Sequence, residues 1–200
     1  MPTHLEIEYK SLLSMPEYEQ LMKLFSHIKP VSQTNFYFDT EDLKLRENRL
    51  ALRIRCFATS AEMTLKVPQE VGNIEHNIDI PLNEAKSMIE NKSLSKCLQN
   101  ISSIRDIIED HGLIFDNITC IGSLKTTRRE YQIPIGLVAL DYNEYLGTSD
   151  YELELEVEDN TQGQKDFNDF LEKNGIEFRY ARSKVVRFLD TLRHKKRWNN

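Results

Sequence analysis

The sequence predicts an α+β fold, a sheet of about eight strands closed into a barrel with a charged lumen and flanked by helices. Three observations predict it. Segments that alternate apolar and charged residues fall in two groups, each followed by amphipathic helical segments. The charged strand faces carry runs of like charge: Glu152, Glu154, Glu156 and Glu158 in "YELELEVE", Arg53 and Arg55 in "RLALRIRCF". The helices need an apolar surface to cover, so the apolar strand faces point outward and the charged faces inward, and closure removes exposed edges.

The elements follow in order. Leu5–Lys10 alternates with period two and reads as a strand, with Glu6, Glu8 and Lys10 on one face and Leu5, Ile7 and Tyr9 on the other. "SMPEYEQLMKLFSHI" opens with Ser14 and Glu17 in capping-box spacing and Pro16 at an early helical position. Leu21, Leu24, Phe25 and Ile28 then recur on one helical face. "TNFYFDT" is a β-rich run that ends in a turn. Leu50, Leu52, Ile54 and Cys56 alternate with Arg49, Ala51, Arg53 and Arg55; Met63, Leu65 and Val67 with Glu62, Thr64 and Lys66; Ile74, Ile78 and Ile80 lie opposite Glu75 and Asp79. Helical segments follow, with Asn83 as a candidate N-cap, a short piece around Leu94 to Leu98, and a stretch from Ser103 as N-cap to a stop at Gly112. Strands resume at "NITCIGSLKTTRREYQI", "GLVALDYNEYL" and "DYELELEVE". Two helices close the chain. One buries Phe167, Phe170 and Leu171 and stops at Gly175; the other, "ARSKVVRFLDTLRHKK", buries Val185, Phe188, Leu189 and Leu192 and has a basic end that suits its dipole.

The 200 residues suit one domain, expected over 1–193 with a basic tail over 194–200. A net charge of -6 argues against a nucleic-acid or anionic-membrane partner. Cys56, Cys97 and Cys120 are odd in number and unpaired in spacing, which reads as free thiols in a reducing cytosol rather than a disulfide or zinc framework. No signal peptide or membrane span is expected, and the location is expected to be cytoplasmic.

The like-charged faces point to chemistry. Residues i and i+2 of a strand lie ~7 Å apart, so neighbouring carboxylates repel by roughly 2 kcal/mol at an effective dielectric of about 20. In a concave site that is tolerable only if cations sit among them, as anions would among the arginines. Arg suits bidentate phosphate contacts and Lys a point charge. Clustered carboxylates suit Mg²⁺ or Mn²⁺ bridging to substrate phosphates. Both needs meet in a metal–polyphosphate complex.

"EIEYK" resembles the ExExK signature of the CYTH proteins, the triphosphate tunnel metalloenzymes. Arg53-Ile54-Arg55, "TLK" with Lys66, Glu75, "KTTRREY", "ELELE" and "SKVVRFL" follow in family order and cover nearly the whole chain. The short length resembles the bacterial stand-alone branch. The resemblance implies an eight-stranded antiparallel tunnel barrel. It implies phosphate binding by Lys10, Arg53, Arg55, Lys66, Arg128 or Arg129, and Lys184. It implies metal binding by Glu6 and Glu8 with two of Glu152, Glu154 and Glu156; Glu154 with Glu156 or Glu152 is favoured. Asp141 in "LDYNEY" resembles a further acidic position. Only one of Arg128 and Arg129 can line the tunnel in a regular strand, and Arg129 is favoured because it shares parity with Lys125, which is placed among the substrate-binding residues. Many members carry a basic residue where this chain has Asn73.

The expected activity is metal-dependent hydrolysis of a triphosphate, with inorganic tripolyphosphate first. Glu6, Glu8, Lys10, Arg53, Arg55 and Lys66 form the expected catalytic set, and the protein is expected to be a monomer or homodimer. An adenylate cyclase, a thiamine or nucleoside triphosphatase, and a non-catalytic polyphosphate or nucleotide binder are the alternatives. No Ser/His/Asp set, P-loop or catalytic-cysteine pattern competes.

Overall fold

The computed structural model describes residues 3–94 and 101–198, with the side chains of 196–198 excepted. Eight strands alternate with helices: β1 (Thr3–Leu13), α1 (Met15–Leu24), β2 (Val31–Asp39), α2 (Lys44–Glu47), β3 (Ala51–Cys56), β4 (Ala61–Pro68), β5 (Asn73–Ile80), α3 (Leu82–Glu90), α4 (Ser102–Asp110), a 3₁₀ turn at Phe115–Asn117, β6 (Thr119–Ile133), β7 (Gly136–Tyr145), β8 (Thr148–Val157), α5 (Asn160–Lys173) and α6 (Lys184–Trp198). The strands are hydrogen-bonded in the order β1-β5-β4-β3-β2-β6-β7-β8 and the sheet closes into a barrel. Most neighbours are joined by short connections, which is why antiparallel pairing dominates.

Two compact units make up the chain. In the first (Met1–Leu5, Gln33–Ser123), Leu52, Ile54, Met63 and Leu65 present one face of β3 and β4 to Ala85 and Met88 of α3 and to Ile104 and Ile108 of α4. In the second (Glu6–Ser32, Leu124–Asn200), Ile7, Val138, Leu140, Leu153 and Leu155 pack against Leu21 of α1 and against Phe167 and Leu171 of α5. The period-two alternation thus does what it must in a half-covered sheet: one parity lies under helices and the other is left for polar groups.

The ends of the helices correct several local expectations. α3 starts at Leu82 after Pro81, not after Asn83, and α4 starts at Ser102 after Ile101, so Ser103 lies inside it. Pro81 stands at the N-cap with φ -56, and no side chain caps the first turn of α3. Gly112 and Gly175, at φ +74 and +63, follow α4 and α5 as expected stops. Leu24 is half exposed instead of buried, because α1 ends at that residue and its apolar face rests on Leu21 and Phe25. Glu17 reaches back to the Ser14 amide at 2.7 Å, as its spacing requires. The short α2 carried no periodic signal; buried Asp39 holds its first turn by accepting from the amides of Leu45 (2.8 Å) and Arg46 (3.2 Å). Apart from Leu94 itself, the helical piece expected around Leu94 to Leu98 lies outside the described residues, as does Cys97; Cys56 and Cys120 are free and half-buried. No helix is long and apolar enough to cross a membrane among the described residues.

α6 buries Phe188 and Leu189 but leaves Val185 and Leu192 only half-buried, and its first turns carry Lys184, as the resemblance implied, together with Arg187 to carboxylates of the charged strand face.

Candidate active site

The second unit gathers its charges by register. β6, β7 and β8 align Arg128 with Asp141 and Asp141 with Glu152, while β1 and β8 align Lys10 with Glu154 and Glu8 with Glu156. All lie on the strand parity opposite Leu140, Leu153 and Leu155. Asp141 and Glu152 have no exposure and Glu154 has 8 %. One carboxylate oxygen of each lies within 4.8 Å of the other two, and all three surround the Lys184 ammonium. Lys184 Nζ is 2.5 Å from Glu154 Oε1, 2.6 Å from Glu152 Oε2 and 2.9 Å from Asp141 Oδ2.

Two arginines brace this centre. The Arg128 fork donates to both Asp141 oxygens, from Nε at 2.8 Å and Nη2 at 2.7 Å, and Nη2 also reaches Glu154. Arg187 donates to both Glu152 oxygens, at 3.0 and 2.8 Å, and from Nε to Asp150 at 3.0 Å. Lys10 pairs with Glu8.

Burial and charge oppose each other here, and charge wins. Burial would push the Glu154 carboxyl up, but Lys184, Arg128 and Lys10 hold it well below the usual carboxylate range. Burial would lower Lys184, yet Glu152, Glu154 and Asp141 raise it well above the usual lysine range. Lys10 is raised in the same way, against its burial, by Glu8, Glu154 and Glu152. Arg128 and Arg187 stay fully charged on the same balance, through Asp141 with Glu154 and through Glu152 with Asp150. Buried ions persist only when so fully paired.

The first unit carries a second set. Glu75 meets Lys66 Nζ at 2.8 Å and Arg53 Nη2 at 3.6 Å. Burial alone would raise Glu75, but Lys66, then Arg53, and a hydrogen bond from Asn77 bring it down to about 2. Arg55 donates to buried Asn35 at 3.0 Å and pairs with Glu62 at 3.2 Å. Arg53, Arg55, Lys66 and Glu75 share the strand parity opposite Leu52, Ile54 and Leu65.

Several sequence-based placements change. Arg128, not the favoured Arg129, joins the acidic cluster; Arg129 points to the helix side, where it donates to the Ile28 carbonyl at 3.1 Å. Arg129 does share parity with Lys125, but Lys125 is itself on the helix-side parity, half exposed and 3.6 Å from Glu144. In the ELELE strand, Glu152 and Glu154 converge with Asp141, whereas Glu156 stands opposite Glu8 one step along β8. Glu6 is half-buried on the parity of Glu8 and Lys10. Sequence reasoning missed Arg187, Asp150, Asn143 and Asn35. Asp150 and Asn143 were reachable, since they share parity with Glu152 and Asp141; Arg187 stands one helical turn beyond Lys184.

A closed barrel whose uncovered strand face is built from interlocked carboxylates and cations defines the class of protein. The family is equally clear: the CYTH domain matches residues 4–189, and the chain belongs to the CYTH domain family. It is 30% identical over 195 residues to YjbK of Bacillus subtilis (strain 168), named as a candidate triphosphatase, with 96% of this chain and 98% of that protein covered. Among solved structures it resembles a candidate adenylate cyclase from Bacillus halodurans, with 30% identity, a TM-score of 0.84, and 94% and 99% of the two chains covered. It also resembles HpAC1 from Hippeastrum, a candidate adenylyl cyclase described as revealing a dominant triphosphatase activity. There the identity is 25%, the TM-score 0.80 and the coverage 93% and 96%.

Proposed function

We infer that this protein hydrolyses triphosphates with the help of a divalent metal, Mg²⁺ or Mn²⁺, and that inorganic tripolyphosphate is its first substrate. One observation carries the reading: three buried carboxylates converge on a single cation, and arginine and lysine side chains surround them. The donor set fits the metal, because it is all oxygen, anionic and preformed, and the Lys184 ammonium stands in for a cation at its focus. Glu8 and Glu156 stand opposite each other on β1 and β8, with Lys10 paired to Glu8 beside them.

In this reading Asp141, Glu152 and Glu154 hold the metal, with Glu156 on β8 and Glu6 and Glu8 on its neighbour β1 as further carboxylates. A bound Mg²⁺ or Mn²⁺ supplies charge neutralisation to phosphate oxygens and lowers the pKa of a bound water. Lys10, Arg128 and Lys184 bind phosphate oxygens next to the carboxylates, and Arg53, Arg55 and Lys66 are a second set of phosphate-binding cations within the first unit. Arginine forks fix the orientation of the phosphoryl group, and orientation with charge neutralisation is most of what phosphoryl transfer asks of a protein. The names of YjbK and HpAC1 support a triphosphatase above a cyclase.

The test is phosphate release from tripolyphosphate, ATP and thiamine triphosphate with Mg²⁺ or Mn²⁺, beside an EDTA control. Orthophosphate that requires metal supports the reading. Cyclic AMP from ATP would replace it with the cyclase reading, and bound but unchanged ligand with a binding role.

A further inference from the structure

We propose that Arg187 is a positioning residue for the metal-binding carboxylates: its guanidinium sets the plane of the Glu152 carboxylate so that one oxygen faces the cation site. The proposal rests on the metal reading above and adds to it a residue outside the ligand set.

The geometry is that of a clamp. Glu152 is fully buried on β8, with three side-chain torsions to fix. Arg187 takes both of its oxygens, Oε1 at 3.0 Å and Oε2 at 2.8 Å. A planar fork on a planar carboxylate fixes orientation as well as distance. Oε2 is also the oxygen 2.6 Å from Lys184 Nζ, at the convergence of the three acids. Arg187 thus occupies one direction on each oxygen and leaves Oε2 aimed at the cation.

Arg187 is itself held. Asp150 accepts from its Nε at 3.0 Å and its Nη2 at 3.3 Å, and the Arg182 carbonyl accepts from its Nη1. Asp150 in turn accepts from Asn143 Nδ2 at 2.9 Å and from the Tyr145 hydroxyl at 2.7 Å. Thr126 Oγ1 donates to Asn143 Oδ1 at 2.8 Å, and Thr126 and Asn143 are both fully buried. Side chains from β6, β7, β8 and α6 therefore form one continuous network whose last member grips Glu152. A tether for α6 would need one ion pair; a bidentate grip with its own buried support is what fixing a ligand requires.

The experiment measures Mn²⁺ binding to the full chain without substrate, by the electron paramagnetic resonance signal of free Mn²⁺. Arg187→Lys keeps the charge and loses the fork. Its Kd for Mn²⁺ should rise roughly tenfold or more, while KM for tripolyphosphate at saturating Mn²⁺ stays unchanged. A Kd within twofold of the wild type overturns the proposal. If Arg187→Lys does not fold, Tyr145→Phe, which loosens Asp150 without a change of charge, should weaken Mn²⁺ binding severalfold, and no change there overturns it equally. Glu154→Gln separates the two readings. If the wild type binds Mn²⁺, Glu154→Gln does not, and Arg187→Lys matches the wild type, only the role of Arg187 falls. If the wild type binds no Mn²⁺, the metal reading falls and takes this one with it.

Discussion

Lys184 Nζ stands 2.5 Å from Glu154 Oε1, 30 residues away, and the pair is the junction between α6 and the acidic face of β8. The lysine begins its helix, where the dipole disfavours a cation. Its charge is kept by three carboxylates, not by the helix. Lys184→Met should therefore leave three buried carboxylates short of a counter-ion. Loss of one partner of a buried ion set costs about 3–5 kcal/mol, roughly 10 °C in melting temperature for a chain of this size. Thermal melting in EDTA should show that drop, and Mn²⁺ should raise the melting temperature of the variant more than that of the wild type. Equal shifts with Mn²⁺ would mean that the lysine and the metal do not share these oxygens.

Arg128 and Arg129 are neighbours with opposite fates, and replacement by alanine should separate them. Arg128→Ala strips Asp141, which has no exposure, of its bidentate partner; the expected loss is about 3 kcal/mol or more, with loss of turnover. Arg129→Ala removes contacts to the Ile28 carbonyl and to Met22 and should cost about 1 kcal/mol with turnover retained. Urea unfolding and a phosphate-release assay on both variants check this.

Glu75 gives the fold an acid limb. Its carboxyl titrates at about 2 in the fold against an ordinary 4.5, so the folded state favours its charged form. The stabilisation is complete above the ordinary value and is lost as pH falls from about 4.5 towards 2. It amounts to something on the order of 2–3 kcal/mol. Glu75→Gln should flatten urea midpoints over that window, though Glu17, also held at about 2 by its hydrogen bonds with Ser14, Glu177 and Arg179, keeps part of the slope. Lys66→Ala should shorten the Glu75 contribution from the other side, and on the proposed function it should also raise KM for tripolyphosphate.

Gly136 opens β7 at φ +146, and a Cβ there would stand 2.2 Å from the Glu156 carbonyl oxygen of β8. Backbone cannot yield as a side chain end can. Gly136→Ala should destabilise the protein by about 2–3 kcal/mol, read as an earlier urea midpoint. A midpoint unchanged within error would show that the β7–β8 pairing is looser than this contact implies.

Much of the fold and part of the site were legible in the chain. Side-chain alternation is a local property of extended backbone, so the common face of Glu6, Glu8 and Lys10, of Arg53 and Arg55, and of Glu152, Glu154 and Glu156 follows from their spacing alone. The capping box at Ser14 and Glu17 and the stops at Gly112 and Gly175 are local for the same reason. A choice such as Arg128 against Arg129 is not: it needs a reference residue of known face, and Lys125 pointed the wrong way.

The sequence by itself determined that one strand face would be charged and the other apolar, because a period of two leaves each residue no other side to take. Only the tertiary structure decided which charges meet. The registers of the β6–β7 and β7–β8 hairpins put Asp141 beside Arg128 and Glu152, the pairing of β1 with β8, distant in sequence, put Lys10 beside Glu154, and the docking of α6 brought Lys184 and Arg187 to the carboxylates. Register and docking are set by the summed packing of both faces, which no short stretch of sequence encodes.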